Sequence, residues 1–294
     1  MKAIIPAAGQ GTRFLPASKA VPKEMLPVLD RPTIQYVVEE ALAAGASEVI
    51  IVCNDDKPEI AQHFSPDPGL EHSLEEKGKT ALAQSVKYAG NLPVSFVQQP
   101  EPLGLGHAVH CAAGRISLEE EGFFVLLGDT LVPGNNLLKR MRQVSEEHGN
   151  ASVVAVIRVL EEEVSRFGII DAELVSGTPE EDSAVWQVHA MVEKPALQDA
   201  PSNLAIFGRY LLVPRVMQIL DTTQPGAGGE IQLTDALVEL LKTEEMYAVE
   251  VSSDEGFDCG TVANWLSTNL ILAALDPELF AAVRAAGAGI YLSE

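Results

Sequence analysis

The chain has 294 residues, of which 47% are hydrophobic, and this content is that of a globular protein with a substantial core rather than a disordered chain. Lys and Arg number 20 against 42 Asp and Glu, which leaves a formal net charge of −22 at pH 7. Such a charge repels nucleic acids and anionic membrane surfaces, so neither is expected as a partner, and anionic substrates would require the few cations to cluster.

The first half of the chain alternates apolar, β-branched segments with segments of helical periodicity. Strands are predicted at residues 2–7, 48–53, 94–97 and 123–127, and helices at residues 34–42, 57–64 and 136–148. This alternation predicts a layered α/β sheet with right-handed crossovers. Residues 65–89 interrupt it with a proline-rich turn and a charged helical stretch, which predicts a helical insertion at the surface.

The second half is richer in strands. Strands are predicted at residues 151–159, 168–171, 185–193 and 204–212, a flexible loop at 226–230, and helices at 231–242, 262–275 and 277–286. The succession of strands predicts antiparallel pairing, so the central sheet should be mixed. Because no internal repeat or low-complexity linker is present, the expected architecture is a single domain over residues 1–294, with a helical insertion near 65–90 and C-terminal helices over 262–286.

The three cysteines, Cys53, Cys111 and Cys259, form no C-x-x-C pair, so neither a disulfide framework nor a zinc ribbon is predicted. A reducing, cytoplasmic location is expected, because the first apolar run is too short and too soon interrupted by Pro6 for a signal peptide. No apolar run approaches the length of a membrane span.

A glycine-rich segment, A-A-G-Q-G-T-R at residues 7–13, follows the first predicted strand. Its glycines allow the backbone to approach a ligand closely and to turn N–H groups toward an anion. Arg13, Lys19 and Lys23 concentrate positive charge in the same loop. A dinucleotide fingerprint would have a glycine in place of Phe14, and a Walker loop would end in G-K-[ST], so both are disfavoured. The segment predicts a phosphate-binding loop, with a tight turn and solvated basic residues as the alternative.

The longer segment A-A-G-Q-G-T-R-F-L-P-A-S-K-A-V-P-K-E-M-L-P-V, residues 7–28, resembles the signature of sugar-nucleotide pyrophosphorylases. More specifically, it resembles the bacterial branch that uses UTP and glucose 1-phosphate. The resemblance implies a three-layer, Rossmann-like nucleotidyltransferase fold with a mixed central sheet. It also implies that Arg13 and Lys23 bind the phosphates. The implied nucleotide contacts along the loop are Ala7, Ala8, Gly9, Gly11 and Thr12.

Asp129 and Asp258 are the candidate metal ligands. Asp129 follows a buried-looking apolar run, where the carboxyl end of a strand meets the ligand crevice, and Asp258 lies beside a glycine in D-C-G. Taken alone, each would more often be a turn former or a helix cap. In the family two such aspartates hold Mg²⁺, so the resemblance implies that role for both. One departure is the G-D-T at residues 128–130, where relatives often have P-D-D or P-D-V.

The segment V-E-K-P at residues 192–195 places a carboxylate beside an ammonium, which without a ligand would be a surface ion pair of little energetic value. The resemblance implies that Glu193 bonds sugar hydroxyls and that Lys194 binds the sugar phosphate. Gly168 matches the glycine that backs the sugar ring, and Asn203 matches a neighbouring sugar-site residue.

Residues 98–108, Q-Q-P-E-P-L-G-L-G-H-A, combine an amide side chain with a close-approach glycine, which can bind the imide edge of uracil. Gln99 and Gly104 are the candidate base-binding residues. His107 and His110 are three apart and could in principle bind metal on a helix face, but no third ligand is evident and no metal is assigned to them.

The resemblance extends over nearly the whole chain and implies the reaction UTP + α-D-glucose 1-phosphate ⇌ UDP-glucose + pyrophosphate. A Mg²⁺-assisted in-line attack would be catalysed by charge neutralisation through Arg13, Lys23 and Lys194, without a covalent enzyme intermediate. The family alternative is a thymidylyltransferase or another nucleotide–sugar pair, although thymidylyltransferases have S-K-Q-L-L-P where this chain has P-K-E-M-L-P.

Two other classes of protein are less well supported. A glycosyltransferase that uses a UDP-sugar would have a D-x-D metal motif, where this chain has D-T-L at residues 129–131. A non-catalytic binding protein is disfavoured because every charged site residue that can be matched is present. The resemblance also implies a homodimer or homotetramer, with the C-terminal helices as contacts.

Overall fold

A computed structural model describes residues 1–134, 136–179, 184–252 and 255–287. The strands are β1 (Ala3–Pro6), β2 (Pro27–Val28), β3 (Arg31–Pro32), β4 (Val49–Cys53), β5 (Val94–Gln98), β6 (Phe123–Leu126), β7 (Thr130–Leu131), β8 (Ser152–Arg158), β9 (Gly168–Ser176), β10 (Val185–Glu193), β11 (Leu204–Leu212), β12 (Met246–Glu250) and β13 (Phe257–Asp258). The α-helices are α1 (Thr33–Ala43), α2 (Pro58–His63), α3 (Pro68–Glu76), α4 (Thr80–Gly90), α5 (Leu105–Cys111), α6 (Leu137–Glu147), α7 (Arg215–Leu220), α8 (Leu233–Leu241), α9 (Val262–Leu275) and α10 (Pro277–Gly287).

The central sheet has the strand order β5-β4-β1-β6-β11-β8-β12-β10-β9. The strands β5, β4, β1 and β6 are parallel, whereas β11 is antiparallel to both β6 and β8. At the other edge, β10 is antiparallel to β12 and to β9, and β12 is parallel to β8. The sheet is therefore mixed, with its parallel part built from the first half of the chain and most antiparallel pairing in the second, as the sequence predicts.

Helices cover both faces of the sheet. Adjacent residues of a strand point to opposite faces, and Ile4 and Ile5 of β1 accordingly belong to two different apolar clusters, both fully buried. On the Ile5 side the cluster includes residues of α1 and α6, and on the Ile4 side it includes residues of α5, α7 and α8. The result is the three-layer arrangement that the resemblance implies.

The predicted helical insertion contains two helices, α3 and α4, at the position expected from the sequence. They are separated at Gly78, whose φ of +69° lies in the left-handed region that favours glycine. No residue of α3 is buried, whereas α4 buries Ala83 and Ala89. The assignment of the whole chain to a single domain stays a prediction.

Seven of the helices and strands in the described ranges were absent from the sequence prediction: α5, α7, β12 and the two-residue strands β2, β3, β7 and β13. The helix α5 begins within L-G-L-G, where the two glycines lower helix propensity, and α7 and β12 are only six and five residues long. The strand predicted at 168–171 is longer than expected and runs to Ser176. None of the helices in the described ranges is long and apolar enough by itself to cross a membrane; α9 with the first residues of α10 passes that test only as a pair bent by 119°.

Candidate active site

Most of the predicted site residues meet in a cleft at the carboxyl ends of β1, β5 and β6, where loops of an α/β sheet form a ligand crevice. Two adjoining cavities, of about 530 and 580 Å³, make up this cleft. Both are lined by Gly9, Arg13, Lys23 and Asp129. A larger cavity, of about 730 Å³, is lined by residues of α1, α2, α3 and α4 and by none of the predicted site residues.

The two cavities divide the other predicted residues between them. Those that line the first are Gly11, Thr12 and Asp258. Those that line the second are Ala8, Gln99, Gly104, Glu193 and Lys194. The structure thus brings most candidate nucleotide, sugar and metal residues into one cleft, although they are spread over most of the chain; Ala7, Gly168 and Asn203 line neither cavity.

The glycine loop depends on the conformation of Gly11. Its φ of +63° is left-handed, and a Cβ at this position would lie 3.2 Å from the Cβ of Ser18 and 3.3 Å from that of Lys23. Ser18 Oγ donates to the Gly11 carbonyl at 2.7 Å, which folds the loop back on itself. Glycine is therefore required here by both backbone conformation and space.

Lys57 supports this loop from behind, and nothing in the sequence pointed to it. The side chain is almost fully buried, and its Nζ donates to the carbonyls of Ala7 and Gly9 at 2.6 Å each and to Glu24 Oε2 at 3.0 Å. Because the peptide bond is planar and trans, each N–H points away from the carbonyl of the same peptide. The amides of Ala8 and Gln10 are thus turned away from Lys57, as a phosphate-binding loop requires.

Glu24 is the buried counterion of this arrangement, with only 2% of its surface exposed. Burial raises the pKa of Glu24 above its ordinary value, and the ammonium groups of Lys57 and Lys23 offset part of that rise. The contacts of Lys57 therefore connect the start of the loop, at Ala7 and Gly9, to its end.

Lys23 and Asp129 form an ion pair at the centre of the cleft. Burial by itself would raise the pKa of Asp129, but the adjacent Lys23 ammonium outweighs this effect and holds the pKa below its ordinary value. Asp129 is therefore a carboxylate at neutral pH, the form in which it can bind a metal ion.

Asp258 reaches Asp129 through the pairing of β13 with β7, in which Asp258 is opposite Thr130. The Cys259 N–H donates to the Asp129 carbonyl at 2.7 Å, which connects the two segments directly. Within the Asp258 carboxylate, Oδ1 accepts from the Gly260 N–H at 2.7 Å. Two aspartates that are distant in sequence are thereby held side by side.

The space around Gly260 shows how closely these groups approach each other. A Cβ on Gly260 would lie 2.8 Å from Asp258 Oδ1, 3.3 Å from an Arg13 guanidinium nitrogen and 3.4 Å from Asp129 Oδ2. The glycine of the D-C-G segment therefore leaves room for two carboxylates and one cation to meet.

The carboxylates of Asp129 and Asp258 are a suitable donor set for Mg²⁺. No group of three or more His, Cys, Asp or Glu side chains that could hold a metal occurs in the part of the chain that the structure describes. Mg²⁺ is usually bound by one or two carboxylates together with substrate phosphates and water. The pair thus fits a cation that arrives with a nucleoside triphosphate better than a permanently bound one.

Arg209, a second cation that sequence reasoning missed, fixes the backbone on both sides of Asp129. It is fully buried and donates to the Leu127 carbonyl at 3.3 Å and to the Thr130 carbonyl at 2.6 Å. Its charge is balanced by Glu40 of α1 at 2.7 Å. The segment that carries Asp129 is therefore held by a buried ion pair.

On the side of the cleft formed by β9 and β10, called the sugar side after the role predicted from sequence, β10 ends at Glu193 opposite Gly168, the first residue of β9. A Cβ at Gly168 would lie 3.2 Å from both Glu193 Oε2 and Thr234 Oγ1, so glycine leaves space for the carboxylate. Thr234 donates to Glu193 Oε2 at 2.6 Å, which orients it. Lys194 has a left-handed φ of +47°, and its side chain is 47% exposed.

The structure does not bring Asn203 into the cleft with the other candidates. Its side chain accepts from Arg158 at 3.2 Å and donates to the Val159 carbonyl at 3.3 Å. It lines a separate cavity, of about 480 Å³, beside Ser202. Both ends of its amide are thus used by the protein itself, and a sugar contact by Asn203 has no support in this geometry.

The candidate base-binding residues lie where the second cavity meets α5. Gly104 has a φ of +112°, and a Cβ there would lie 2.7 Å from the Ile231 carbonyl. The Gly106 N–H donates to that carbonyl at 2.8 Å. Gln99 is buried, and its amide nitrogen contacts both Gly104 and His107. A side chain at residue 104 would therefore displace the backbone that shapes the pocket.

Comparison with known proteins gives the family of this chain. The family model described as nucleotidyl transferase matches residues 2–274. The chain belongs to this family. The UTP–glucose-1-phosphate uridylyltransferase of Bacillus subtilis is 47% identical over 281 residues, which cover 95% of this chain and 92% of that protein. The enzyme of the same name from Staphylococcus epidermidis is 45% identical, with 95% and 94% coverage.

Solved structures of similar proteins confirm the predicted fold class. A UTP-bound UGPase from Acinetobacter baumannii superposes with a TM-score of 0.86 at 37% identity, covering 99% of both chains. A UDP-glucose pyrophosphorylase complexed with UDP-glucose gives a TM-score of 0.78 at 37% identity, covering 92% of this chain and 97% of its own. A glucose-1-phosphate thymidylyltransferase from Bacillus anthracis shares the fold at 20% identity and a TM-score of 0.69.

Proposed function

We propose that this chain transfers the uridylyl group of UTP to glucose 1-phosphate and releases pyrophosphate, forming UDP-glucose. The observation that carries the proposal is the single cleft in which a cation-bearing glycine loop, two adjacent aspartates and the Glu193–Lys194 pair converge. Two relatives with this activity in their names cover 95% of the chain at 45–47% identity. The similar solved structures include one bound to UTP and one bound to UDP-glucose.

The proposed chemistry needs no general base, because the phosphate of glucose 1-phosphate is already an anionic nucleophile. Arg13 and Lys23 bind the triphosphate, and Lys194 holds the acceptor phosphate, so that two mutually repelling anions are placed for in-line attack on the α-phosphorus. Asp129 and Asp258 would hold Mg²⁺, which when bound supplies positive charge to the reacting phosphate and the leaving pyrophosphate. The thymidylyltransferase alternative rests on fold similarity alone.

Further properties belong to the same proposal. We expect a single domain in a cytoplasmic enzyme that uses no nucleic acid or membrane partner, which agrees with the net charge of −22 and with three free cysteines. We also expect a homodimer or homotetramer. Large apolar side chains on the C-terminal helices support this assembly, because about half or more of the surface of Leu266, Leu270 and Leu275 is exposed.

Pyrophosphate release from each of UTP, dTTP, CTP and ATP, with and without glucose 1-phosphate and Mg²⁺, tests the reaction. We expect release only with UTP, glucose 1-phosphate and Mg²⁺ together. A preference for dTTP would instead identify the chain as a thymidylyltransferase. The absence of pyrophosphate release with every combination would overturn the enzymatic assignment.

Lys194→Ala tests the division of roles within the cleft. We expect loss of at least about 100-fold in kcat/KM for glucose 1-phosphate, because an ammonium that binds the acceptor phosphate is removed, while UTP binding measured by calorimetry is retained. The matched control is Lys139→Ala, which removes an exposed lysine of α6. Equal loss of UTP affinity in Lys194→Ala would show that this lysine does not act on the acceptor side.

A further inference from the structure

The amide of Gln99 is held by two acceptors at the edge of the second cavity. Its nitrogen Nε2 lies 3.2 Å from the Gly104 carbonyl oxygen and 3.0 Å from Nδ1 of His107. The Gln99 side chain is 5% exposed, and Gly104 is itself fixed by close packing against the backbone of Ile231. The amide therefore cannot turn freely.

These two contacts determine the orientation of the amide and the tautomer of the histidine. A carbonyl oxygen can only accept, so the amide group that faces Gly104 is the NH₂ and not the oxygen. His107 Nδ1 faces the same NH₂ group and must accept its second proton. The imidazole proton then lies on Nε2, which is 3.8 Å from Cys111 Sγ. Both protons of the Gln99 amide are used, and Oε1 is left as an acceptor.

We infer that His107 is a positioning residue that fixes the Gln99 amide so that the site selects uracil over cytosine. The inference rests on the proposed function, since it requires that the base of the nucleotide binds against Gln99. Uracil presents an N3–H donor to a carbonyl acceptor, whereas the N3 of cytosine is itself an acceptor and would repel Oε1. If the Gln99 amide were rotated by about 180°, it would present its NH₂ group to N3 of the base and would accommodate cytosine.

Gly104 and His107 restrain the amide in different ways. The Gly104 carbonyl cannot change its role, because a backbone oxygen has no proton to offer. His107, in contrast, could donate from Nδ1 if the imidazole proton moved there from Nε2. Its Nε2–H form is therefore the restraint on the amide that a substitution can remove. Loss of His107 removes one of the two hydrogen bonds that keep the Gln99 amide from rotating.

The first experiment compares His107→Phe with His107→Asn. Phenylalanine keeps a planar ring without an acceptor, whereas asparagine can place Oδ1 near the former Nδ1. We expect His107→Phe to lower the ratio of kcat/KM for UTP to that for CTP by about two- to tenfold, the range that one hydrogen bond supplies. The change should lie in KM for UTP, with KM for glucose 1-phosphate unchanged, and His107→Asn should retain most of the ratio.

His110→Phe is the matched control. His110 lies one turn further along the same helix, and its nearest charged partner is Asp221 at 3.5 Å rather than Gln99. We expect its UTP to CTP ratio to equal that of the unsubstituted enzyme. A purely structural role of His107 would lower thermal stability and leave the ratio intact in His107→Phe, and that result would overturn the inference.

A second measurement does not depend on catalysis or on folding of a variant. The ¹⁵N chemical shifts of His107 in the unsubstituted protein should show a protonated Nε2 and an unprotonated Nδ1. A protonated Nδ1 would overturn the inference even if UTP is the substrate. Conversely, absence of UTP turnover in the unsubstituted protein would remove the proposed function and with it the base-selection role, whatever the tautomer.

Discussion

The two sides of the cleft hold their charged groups in different ways. On the loop side, formed by the ends of β1, β5 and β6, the groups facing the cleft are supported by buried cations: Lys57 behind the glycine loop and Arg209 behind Asp129. On the sugar side, formed by β9 and β10, Lys194 is nearly half exposed and is placed by a left-handed backbone, with its N–H donating to the Phe167 carbonyl at 2.9 Å.

Because of this difference, a substitution on the loop side should affect the stability of the whole protein more than one on the sugar side. A buried ion pair that loses one partner leaves an uncompensated charge and typically costs about 3–5 kcal/mol. A strained residue at the surface stores only about 1–3 kcal/mol, and its replacement can release that strain. We therefore expect substitutions on the loop side to lower stability and activity together, and substitutions on the sugar side to separate them.

Arg209→Met should have the largest effect on stability. It leaves the Glu40 carboxylate buried without its partner, and we expect a loss of about 3–5 kcal/mol in the free energy of unfolding, measured by urea denaturation. The control is Arg142→Met, which breaks an exposed pair with Glu146 and should cost at most about 0.5 kcal/mol. A similar small loss in both variants would show that burial of the Arg209 pair does not matter.

Lys57→Met is expected to cost slightly less stability, about 3 kcal/mol, because it removes the nearer of the two ammonium groups beside the buried Glu24 and leaves only Lys23, at 3.9 Å. UTP affinity, measured by calorimetry, should also fall, since the carbonyls of Ala7 and Gly9 lose the group that orients them. Lys139→Met, on the exposed face of α6, should change neither quantity.

The double variant Lys57→Met with Glu24→Gln separates the two roles of Lys57. Removing the buried Glu24 charge should restore most of the stability, whereas the loop carbonyls remain unsupported and UTP affinity should stay low. Recovery of UTP affinity together with stability would contradict a loop-orienting role for Lys57.

The contrast between the two sides also marks what the sequence could predict. The glycine loop, the Glu193–Lys194 pair and the strands that carry them are local patterns, and the structure places them in one cleft. Lys57 and Arg209 could not be found in this way, because they support the cleft through backbone carbonyls, and their carboxylate partners, Glu24 and Glu40, are also distant in sequence. Lys57 bonds carbonyls 48 and 50 residues away, and Arg209 bonds ones 79 and 82 residues away.

Two other limits of the prediction have physical causes. The resemblance implies a sugar contact for Asn203, which stays a prediction, because Arg158 and Val159 each bond one end of its amide outside the two cavities of the cleft. The helix α5 was not predicted because tertiary packing overrides the low helix propensity of its glycines: Gly106 is buried, with its N–H bonded to the Ile231 carbonyl. Long-range packing therefore decided what local sequence could not.

On the sugar side, Lys194→Gly and Lys194→Ala should lose glucose 1-phosphate turnover equally and yet differ in stability. Both remove the ammonium, but only glycine adopts the φ of +47° without a steric cost. We expect the glycine variant to be more stable than the alanine variant by about 0.5–1 kcal/mol in urea denaturation, since its higher chain entropy when unfolded offsets part of the relief. Equal stability of the two variants would show that this backbone is not strained.

The smallest effect on stability is expected outside the cleft, at His63 of α2. Burial lowers the pKa of His63 below its ordinary value of 6.5, and its Nε2 lies 2.8 Å from Gln35 Oε1. The folded protein therefore takes up a proton at His63 less readily than the unfolded chain does. This group leaves stability unchanged above pH 6.5 and lowers it as the pH falls below that value.

Urea denaturation at pH 7.5 and pH 5.5 measures this contribution when the unsubstituted protein is compared with His63→Gln. Glutamine keeps a hydrogen-bond donor for Gln35 but does not titrate, and the carboxylates and the other histidines contribute equally to both proteins. We expect the unsubstituted protein to lose more stability than the variant on acidification. A larger loss in the variant would reverse the sign and would mean that the folded state stabilises the imidazolium, through groups such as Glu39 that lie one hydrogen bond beyond Gln35.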